Sequence, residues 1–277
     1  MSLFDRGEES EQMAFRGETL ESQPMTDNRF ARKLTDLDSE ERQLVGPAAS
    51  AARRTFAGFA EKPGSEYHQA PGLTPEKTWK AIATELGRVS ALTTLEGNRD
   101  RPLEAADIEL IHRGIFEPVF GEKTLGFRSR KGDEVTFPIV VGSREEPRRI
   151  ERRGSGGKQV LPNLGRALKG FERELEALDS RRAPDKPNVS DAALPAVKLY
   201  AKVIGTHPFF DGNGRTAWAV FSYALQRCGL VEVAGPPTPA TRWALGRALR
   251  DGGSQSYDPL TAIVAETIKG SSLETDT

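Results

Sequence analysis

Two apolar segments joined by a short polar turn constrain the fold of this chain more than any other feature. The first, AALPAVKLYAKVIG, follows Ser190 and Asp191, residue types that cap helix N-termini, and its apolar side chains cover most of the helix circumference. The second runs through Cys228. Between them lies HPFFDGNGR, from His207 to Arg215. This order predicts a central buried helix that ends at His207, a short loop and a second helix.

Most of the remaining chain also has helical patterns. Apolar residues recur at helical spacing from Trp79 to Val89, from Ile108 to Phe116 and from Leu164 to Leu178, and the segments TPATRWALGRALRDGG and YDPLTAIVAETIKG follow near the end. The best strand candidate is TLGFRSRKGDEVTFPIVV, from Thr124 to Val141, with a turn at Lys131 to Glu134. The sequence therefore predicts a mainly α fold with one short β-hairpin.

The amino-terminal part differs in composition from the rest. Residues 1–28 mix charged residues, Ser, Gln and Gly without periodicity, which is typical of a flexible segment. Residues 38–59 predict one or two short helices, with a break at Gly46 and Pro47. We therefore expect three parts in chain order: a flexible or partly helical segment over 1–70, one domain over 71–270, and a polar tail over 271–277.

Two Gly-rich segments mark transitions along the chain. The stretch EKPGSEYHQAPGLTPEK lies at the expected boundary, and its Thr74 and Pro75 predict the N-cap and the first residue of the next helix. Residues 142–160 are dense in Arg, Glu and Gly, and interleaved charges of both signs favour a solvated surface loop.

The charge balance argues against a nucleic-acid or membrane partner. Lys and Arg total 39 and Asp and Glu total 40, which gives a formal net charge of -1 and no field that attracts nucleic acid or anionic lipid. No segment approaches the roughly 20 apolar residues that span a bilayer.

The single cysteine, Cys228, excludes an internal disulfide. We expect a cytoplasmic protein; a secreted effector that acts in a host cell stays open, because composition does not reveal every secretion signal.

The turn between the two central helices has the composition of an anion-binding site. A helix that begins near Arg215 presents free backbone N–H groups, and Gly212 and Gly214 allow a phosphate to approach them closely. The Arg215 guanidinium offers a fork of donors suited to phosphate oxygens. Asn213 either directs a donor to the same group or braces the loop. These residues point to phosphate chemistry.

Two further side chains beside this turn supply a metal ligand and a base. Asp211 is a hard oxygen ligand of the kind that shares Mg²⁺ with a nucleotide. The ordinary pKa of histidine is about 6.5, so a neutral His207 imidazole at cell pH is suited to take a proton from an attacking hydroxyl. The plain alternative is a Gly-rich turn that only connects helices. The combination of base, metal ligand, anion-binding turn and arginine favours phosphoryl-group transfer.

The segment HPFFDGNGRT resembles the signature of the Fic family, in which a histidine is followed by Pro-Phe, a variable residue, Asp or Glu, and Gly-Asn-Gly-Arg. The resemblance extends over about residues 75–270: IHRGIF is similar to the helix before the family's flap, and the hairpin from Thr124 to Val141 takes the place of that flap. It implies a Fic-type helical bundle. It also implies transfer of AMP from ATP to a Ser, Thr or Tyr hydroxyl of a target protein, with pyrophosphate as the leaving group.

The resemblance also implies a role for each residue of the motif. His207 is the general base, Asp211 holds Mg²⁺, and Phe209 anchors the loop in the core. The flap holds the target in extended form, and Lys131 and Gly132 at its tip are the residues expected to touch the target. The remaining motif residues bind the phosphates of ATP, with Asn213 and Arg215 also counted as catalytic: Gly212, Asn213, Gly214 and Arg215.

The sequence departs from the family pattern at Trp218. The family usually has a second arginine there, which grips the γ-phosphate, and a tryptophan removes that cation. Family members without this arginine use other donors, for transfer of UMP, phosphate or phosphocholine, so these donors are the alternative to ATP. Core packing is the structural interpretation of Trp218.

A second similarity lies at Thr93 to Asn98, TTLEGN, which resembles the inhibitory helix of some Fic proteins. It implies that Glu96 obstructs the nucleotide site. The alternative is a helix that ends at Gly97 and Asn98. Self-modification, a homodimer or a separate inhibitory partner are further expectations from the family, and an inactive nucleotide-binding regulatory module is the non-enzymatic alternative.

Overall fold

The structure is a computed structural model that describes residues 30, 32–55, 69–95, 100–121, 126–129, 134–142, 146–180, 188–230 and 239–273. Within these ranges the chain forms eight α-helices and one two-stranded antiparallel sheet. The helices are α1 (Ser39–Thr55), α2 (Pro75–Thr94), α3 (Ala105–Phe120), α4 (Val160–Ser180), α5 (Val189–Thr206), α6 (Asn213–Arg227), α7 (Pro239–Asp251) and α8 (Asp258–Leu273). The strands are β1 (Thr136–Gly142) and β2 (Pro147–Arg153). The predicted mainly α fold with one hairpin is confirmed.

Helices α5 and α6 form the centre of the bundle. Helix α5 packs against α4, α6, α7 and α8, while α6 packs against α2 and α3. Small residues on α6, such as Ala217, Ala219 and Ala224, are fully buried and let the helices approach closely. The cap of α5 is Asn188, whose Oδ1 accepts the Asp191 N–H at 2.9 Å, rather than the predicted Ser190 and Asp191. The loop HPFFDGNGR connects these two central helices, so its position is set by their packing.

The hairpin lies farther along the chain than the sequence predicts. The expected second strand is β1, but residues 126–129 are not a strand, and the partner of β1 is PRRIERR. Ile139 pairs with Ile150 at the centre of the ladder. Nearly all β2 side chains are exposed, so this edge strand has no apolar alternation to reveal it. The expectation of a loop over 142–160 was therefore wrong for the backbone, although the surface is solvated.

Helix α1 runs without a break through Gly46 and Pro47, contrary to the sequence prediction. A proline inside a helix removes one backbone hydrogen bond, but Val45 and Ala48 are buried against α2, and this packing outweighs the local cost. Helix α1 falls within the segment expected to be flexible or partly helical. The division of the chain at residue 70 stays a prediction.

The described helices include none that is both long enough and apolar enough to cross a membrane.

Candidate active site

His207 ends helix α5 in a left-handed backbone conformation. Its φ is 50° and its ψ is 63°, and its N–H donates to the carbonyls of Val203 and Ile204 at 3.2 Å. Among the described residues it is the one non-glycine with a positive φ. Such a conformation costs free energy and persists only where the surroundings hold it, which is common at functional sites.

The hairpin holds the ring of His207 in place. The Phe137 ring of β1 stacks on the imidazole with centroids 4.3 Å apart and planes 7° from parallel. Just after β2, Gly154 packs against the same residue, and a Cβ at that position would lie 2.9 Å from the Cβ of His207. The sheet and the loop from His207 to Arg215 are therefore packed together without room for a larger residue at 154.

Arg128 is a fully buried arginine that holds the backbone around His207 through hydrogen bonds. Its Nε donates to the His207 carbonyl at 2.8 Å, and its Nη2 donates to the Ser155 carbonyl at 2.8 Å and to the Thr206 carbonyl at 3.3 Å. Its backbone N–H donates to the Pro208 carbonyl at 2.9 Å. Sequence reasoning did not find this residue, because nothing in FRSR distinguishes a buried arginine from an exposed one.

Burial, and to a lesser extent the nearby Arg128 guanidinium, lowers the pKa of His207 to about 4, against smaller raising effects from Ile204 and Asp211. The Ile204 carbonyl lies near the ring but falls short of hydrogen-bond geometry, since Nδ1 is buried without a partner in the described part of the chain. The imidazole is therefore neutral at pH 7. This is the protonation state that the sequence predicts for a base.

Gly212 and Asn213 shape the turn into α6. Gly212 has a φ of 77°, and a Cβ there would lie 2.5 Å from the Phe116 ring. The Asn213 side chain clamps Phe209: Oδ1 accepts the Phe209 N–H and Nδ2 donates to the Phe209 carbonyl, both at 2.9 Å. Of the two roles open to Asn213, its side chain takes the bracing one. Its backbone N–H lies in the first turn of α6, where such groups are free to bind an anion.

Asp211 and Arg215 lie side by side in the turn. The Asp211 Oδ1 accepts the Gly212 N–H at 2.6 Å and lies 3.4 Å from Nη2 of Arg215. The Arg215 guanidinium is 4% exposed and stacks over the Phe116 ring at 4.7 Å. The role of Arg215 as a phosphate clamp and that of Gly214 in the anion hole stay predictions.

His112 supports the loop from helix α3 and was also missed from the sequence. Its ring stacks on Phe209 at 3.8 Å and 9°, and Phe209 is fully buried, as expected for a loop anchor. Its Nδ1 lies 3.0 Å from the Thr216 hydroxyl, which donates to the Gly212 carbonyl at 3.1 Å. Burial holds the pKa of His112 well below its usual value, and Arg215 adds to this effect. His112 is thus a neutral donor to Thr216.

The remaining candidates fall in two groups. Trp218 is 5% exposed within the core, which agrees with the packing interpretation, and it places no cation on that turn of α6. Glu96, Lys131 and Gly132 lie outside the described residues.

Comparisons with known proteins agree with this geometry. Residues 102–225, which include the loop and the hairpin, match the Fic/DOC family. This part of the chain is therefore a Fic-type domain, and proteins with this domain are generally transferases. No curated protein matches the sequence.

Solved structures share the fold at low identity. Fic-1 from C. elegans aligns with a TM-score of 0.50 and 16% identity, over 91% of this chain and 72% of that one. A Fic-domain signalling protein from Bacteroides thetaiotaomicron gives 0.49 and 16%, over 88% and 92%. IbpAFic2 gives 0.47 and 15%, over 88% of this chain and 66% of its own length. At these identities the similarity concerns the fold alone.

Proposed function

We propose that this protein is an adenylyltransferase that moves AMP from ATP to a Ser, Thr or Tyr hydroxyl of a target protein. The observation that carries the proposal is the position of a neutral, strained His207 beside the glycine turn that begins α6. A base at one end of the loop and an anion-binding helix start at the other suit attack of a hydroxyl on a phosphate.

The reaction balances with the residues present. The hydroxyl oxygen of the target forms a bond to the α-phosphorus of ATP, the bond from that phosphorus to the bridging oxygen of the β-phosphate breaks, and pyrophosphate leaves. His207 takes the hydroxyl proton. The backbone N–H groups at the start of α6, near Asn213 and Gly214, stabilise the charge on the α-phosphate. Asn213 and Arg128 hold the loop in position through Phe209 and the His207 carbonyl.

The turn fits a Mg²⁺ ion that is shared with the nucleotide. The described residues contain no group of three or more His, Cys, Asp or Glu side chains that would hold a metal alone. Asp211 offers one partly exposed carboxylate next to the helix start. Mg²⁺ is commonly held by one or two carboxylates together with substrate phosphates. Asp211 would therefore hold the ion, which neutralises phosphate charge when bound.

The hairpin is the proposed docking element for the target. Phe137 on β1 stacks on His207, so a chain bound to this sheet lies close to the base. Strand β2 is an exposed edge strand in the described part of the fold. An unpaired edge binds an extended peptide through main-chain hydrogen bonds.

The test is a labelling experiment with ATP carrying the label on either the α- or the γ-phosphate. The full chain is incubated with Mg²⁺ and a cell lysate, and covalent label on proteins is read by mass spectrometry. AMP transfer gives label from α-labelled ATP only. We expect His207→Ala to lower the rate by about 10²- to 10⁴-fold, the usual contribution of a general base.

The matched control is Lys158→Ala, a change of an exposed side chain outside the loop, which should leave the rate unchanged. Circular dichroism and thermal unfolding establish that both variants are folded. Equal labelling by the native protein and His207→Ala would refute the role of His207. Label from neither position of ATP would refute ATP as the donor.

Trp218 favours a second candidate, a Fic-type transferase with another donor. A buried tryptophan offers no positive charge for a γ-phosphate where the family usually has an arginine. A panel of UTP, CDP-choline and ATP distinguishes these reactions. Transfer of UMP, phosphocholine or the γ-phosphate, lost in His207→Ala, would replace AMP transfer as the assignment.

A further inference from the structure

A cavity of about 410 Å³ lies on the side of α5 that faces α4 and α7. Its lining comes from β2, the segment after β2, helices α4, α5 and α7, and the connection between α7 and α8. Residues His207 to Arg215 do not line it, although Thr206 does. The volume lies within the range of about 300–1,000 Å³ that is typical of small-molecule sites. The cavity is therefore a second concave site beside the catalytic loop.

The charges around this cavity are all positive. Arg152, Arg166 and Lys202 line it, and none of the lining residues is acidic. Within the described part of the chain, these three side chains make no ion pair with a carboxylate. Three cations from β2, α4 and α5 therefore give this concave surface a positive potential that attracts an anion.

Arg152 has an unused donor at this site. One of its terminal nitrogens donates to the Leu249 carbonyl, but its Nε is buried and has no hydrogen-bond partner among the described residues. A buried donor without a partner costs free energy, and native proteins usually satisfy such groups. A bound anion would supply the missing acceptor.

Neutral donors complete the lining. Ser155 and Tyr257 add a hydroxyl and a phenol, and the Asn163 amide donates to the Ser155 Oγ at 2.7 Å. Burial raises the pKa of Tyr257, with Glu174 raising it further and Arg152 opposing them, so the phenol stays protonated as a donor. The Glu174 carboxylate is itself paired with Lys198 at 3.0 Å. A dianion with several acceptor oxygens matches this set better than a monoanion, and a phosphate carries about -1.5 to -2 charges with three acceptor oxygens.

We propose that this cavity, lined by Arg152, Arg166 and Lys202, binds a small molecule that carries a phosphate group, at a site separate from the catalytic loop. Backbone hydrogen bonds connect the wall of the cavity to the residues next to that loop. The Ser155 N–H donates to the Thr206 carbonyl at 3.1 Å, and Arg128 bonds the carbonyls of both residues. A ligand here contacts the same backbone that Arg128 holds against His207.

The test is an amide NMR titration of the full chain with inorganic phosphate. The signals of Ser155 and Gly205 report on the cavity, and those of Gly212 and Gly214 report separately on the loop. We expect saturable shifts at the cavity with a Kd of about 1 mM or lower. Arg166→Gln and Lys202→Gln each remove one charge and should raise that Kd by about tenfold or more.

The matched control is Arg173→Gln, an exposed position on α4 that does not line the cavity and should change the Kd by less than about twofold. The unshifted amides of each variant confirm its fold. Cavity shifts that do not saturate, or a Kd unchanged in both Arg166→Gln and Lys202→Gln, would overturn the site. Equal affinity for acetate would overturn the phosphate assignment. Binding of glycerol phosphate, detected at the same amides, would support an organic ligand. Failure of glycerol phosphate to bind would overturn the proposal that the ligand is a small organic molecule with a phosphate group.

Discussion

At the scale of single residues, the loop from His207 to Arg215 depends on two backbone conformations with positive φ. Gly212 adopts its left-handed conformation at little cost because it has no Cβ. His207 has a Cβ, so its conformation is held by the contacts around it, chiefly the hydrogen bonds from Arg128 to its carbonyl. These two residues set the backbone at the end of α5 and at the start of α6.

Gly212→Ala should destabilise the protein by about 2–5 kcal/mol, because a methyl group adds both backbone strain and overlap with the Phe116 ring. Gly72→Ala is the matched control. Gly72 has a φ of 76° but open space around the added Cβ, so only the strain of about 1 kcal/mol applies. Urea unfolding measures both. Equal losses in the two variants would contradict a packing requirement at Gly212.

The lowered pKa of His207 predicts the acid limb of the pH–rate profile. A general base works when it is unprotonated, so a pKa of about 4 keeps His207 active well below pH 6.5, the midpoint expected for an ordinary histidine. The profile of kcat/KM reports the pKa of the free enzyme. We expect its acid limb to fall below pH 6, as measured by initial rates of label transfer between pH 4 and 8. A midpoint at 6.5 would show that the ring is not desolvated as the structure indicates.

At the scale of elements, the hairpin packs closely against helix α7. A Cβ at Gly246 would lie 1.7 Å from the Val140 carbonyl oxygen, so β1 rests directly on the α7 backbone. The Trp243 Nε1 donates to the Gly142 carbonyl at 2.7 Å at the end of the same strand. The position of Phe137 over His207 therefore depends on the contact between β1 and α7.

Gly246→Ala should push β1 away from α7, cost about 1–3 kcal/mol of stability and increase hydrogen exchange of the β1 amides. Gly165→Ala on α4 is the control, because no atom lies within 4 Å of its added Cβ. There the better helix propensity of alanine should stabilise the protein by about 0.5–1 kcal/mol. Unchanged exchange in β1 of Gly246→Ala would refute the contact as an anchor of the hairpin.

Local patterns predicted where most helices lie, but they did not predict the continuity of α1, the cap of α5 or the second strand. Thr74 and Pro75 begin α2 as predicted, since a cap is a property of adjacent residues. Strand β2 could not be predicted, because its residues are exposed and its pairing with β1 is the sole cause of its conformation. The candidate site divides in the same way. The loop from His207 to Arg215 is contiguous, whereas Arg128, His112 and Gly154 reach it only through the tertiary fold.

At the scale of the whole molecule, a buried arginine joins the amino-terminal part to the bundle. The Arg88 guanidinium on α2 donates to the carbonyls of Phe30 at 2.8 Å, Arg32 at 2.6 Å and Gly114 at 2.7 Å. Phe30 itself is fully buried. The segment before α1 is thus part of the same core as α2 and α3.

Arg88→Ala should lower the free energy of unfolding by about 2–5 kcal/mol, because it leaves buried carbonyls without donors and Glu85 without its partner. Arg42→Ala, at an exposed position on α1, should change it by less than about 0.5 kcal/mol. Limited proteolysis should cut Arg88→Ala before α1 faster than the native chain. Similar stability in both variants would argue that the amino-terminal segment is not part of the cooperative core.

The charges of β2 have a consequence for the behaviour of the protein in solution. Arg148, Arg149, Arg152 and Arg153 outnumber Glu151 along this exposed edge. Two copies that met edge to edge would bring like charges together, and such repulsion is one way in which proteins prevent sheets from growing into aggregates. Because salt screens charge over about 10 Å at 0.1 M, the protection weakens as ionic strength rises. The same arginines therefore oppose edge-to-edge pairing of two copies most strongly in dilute buffer.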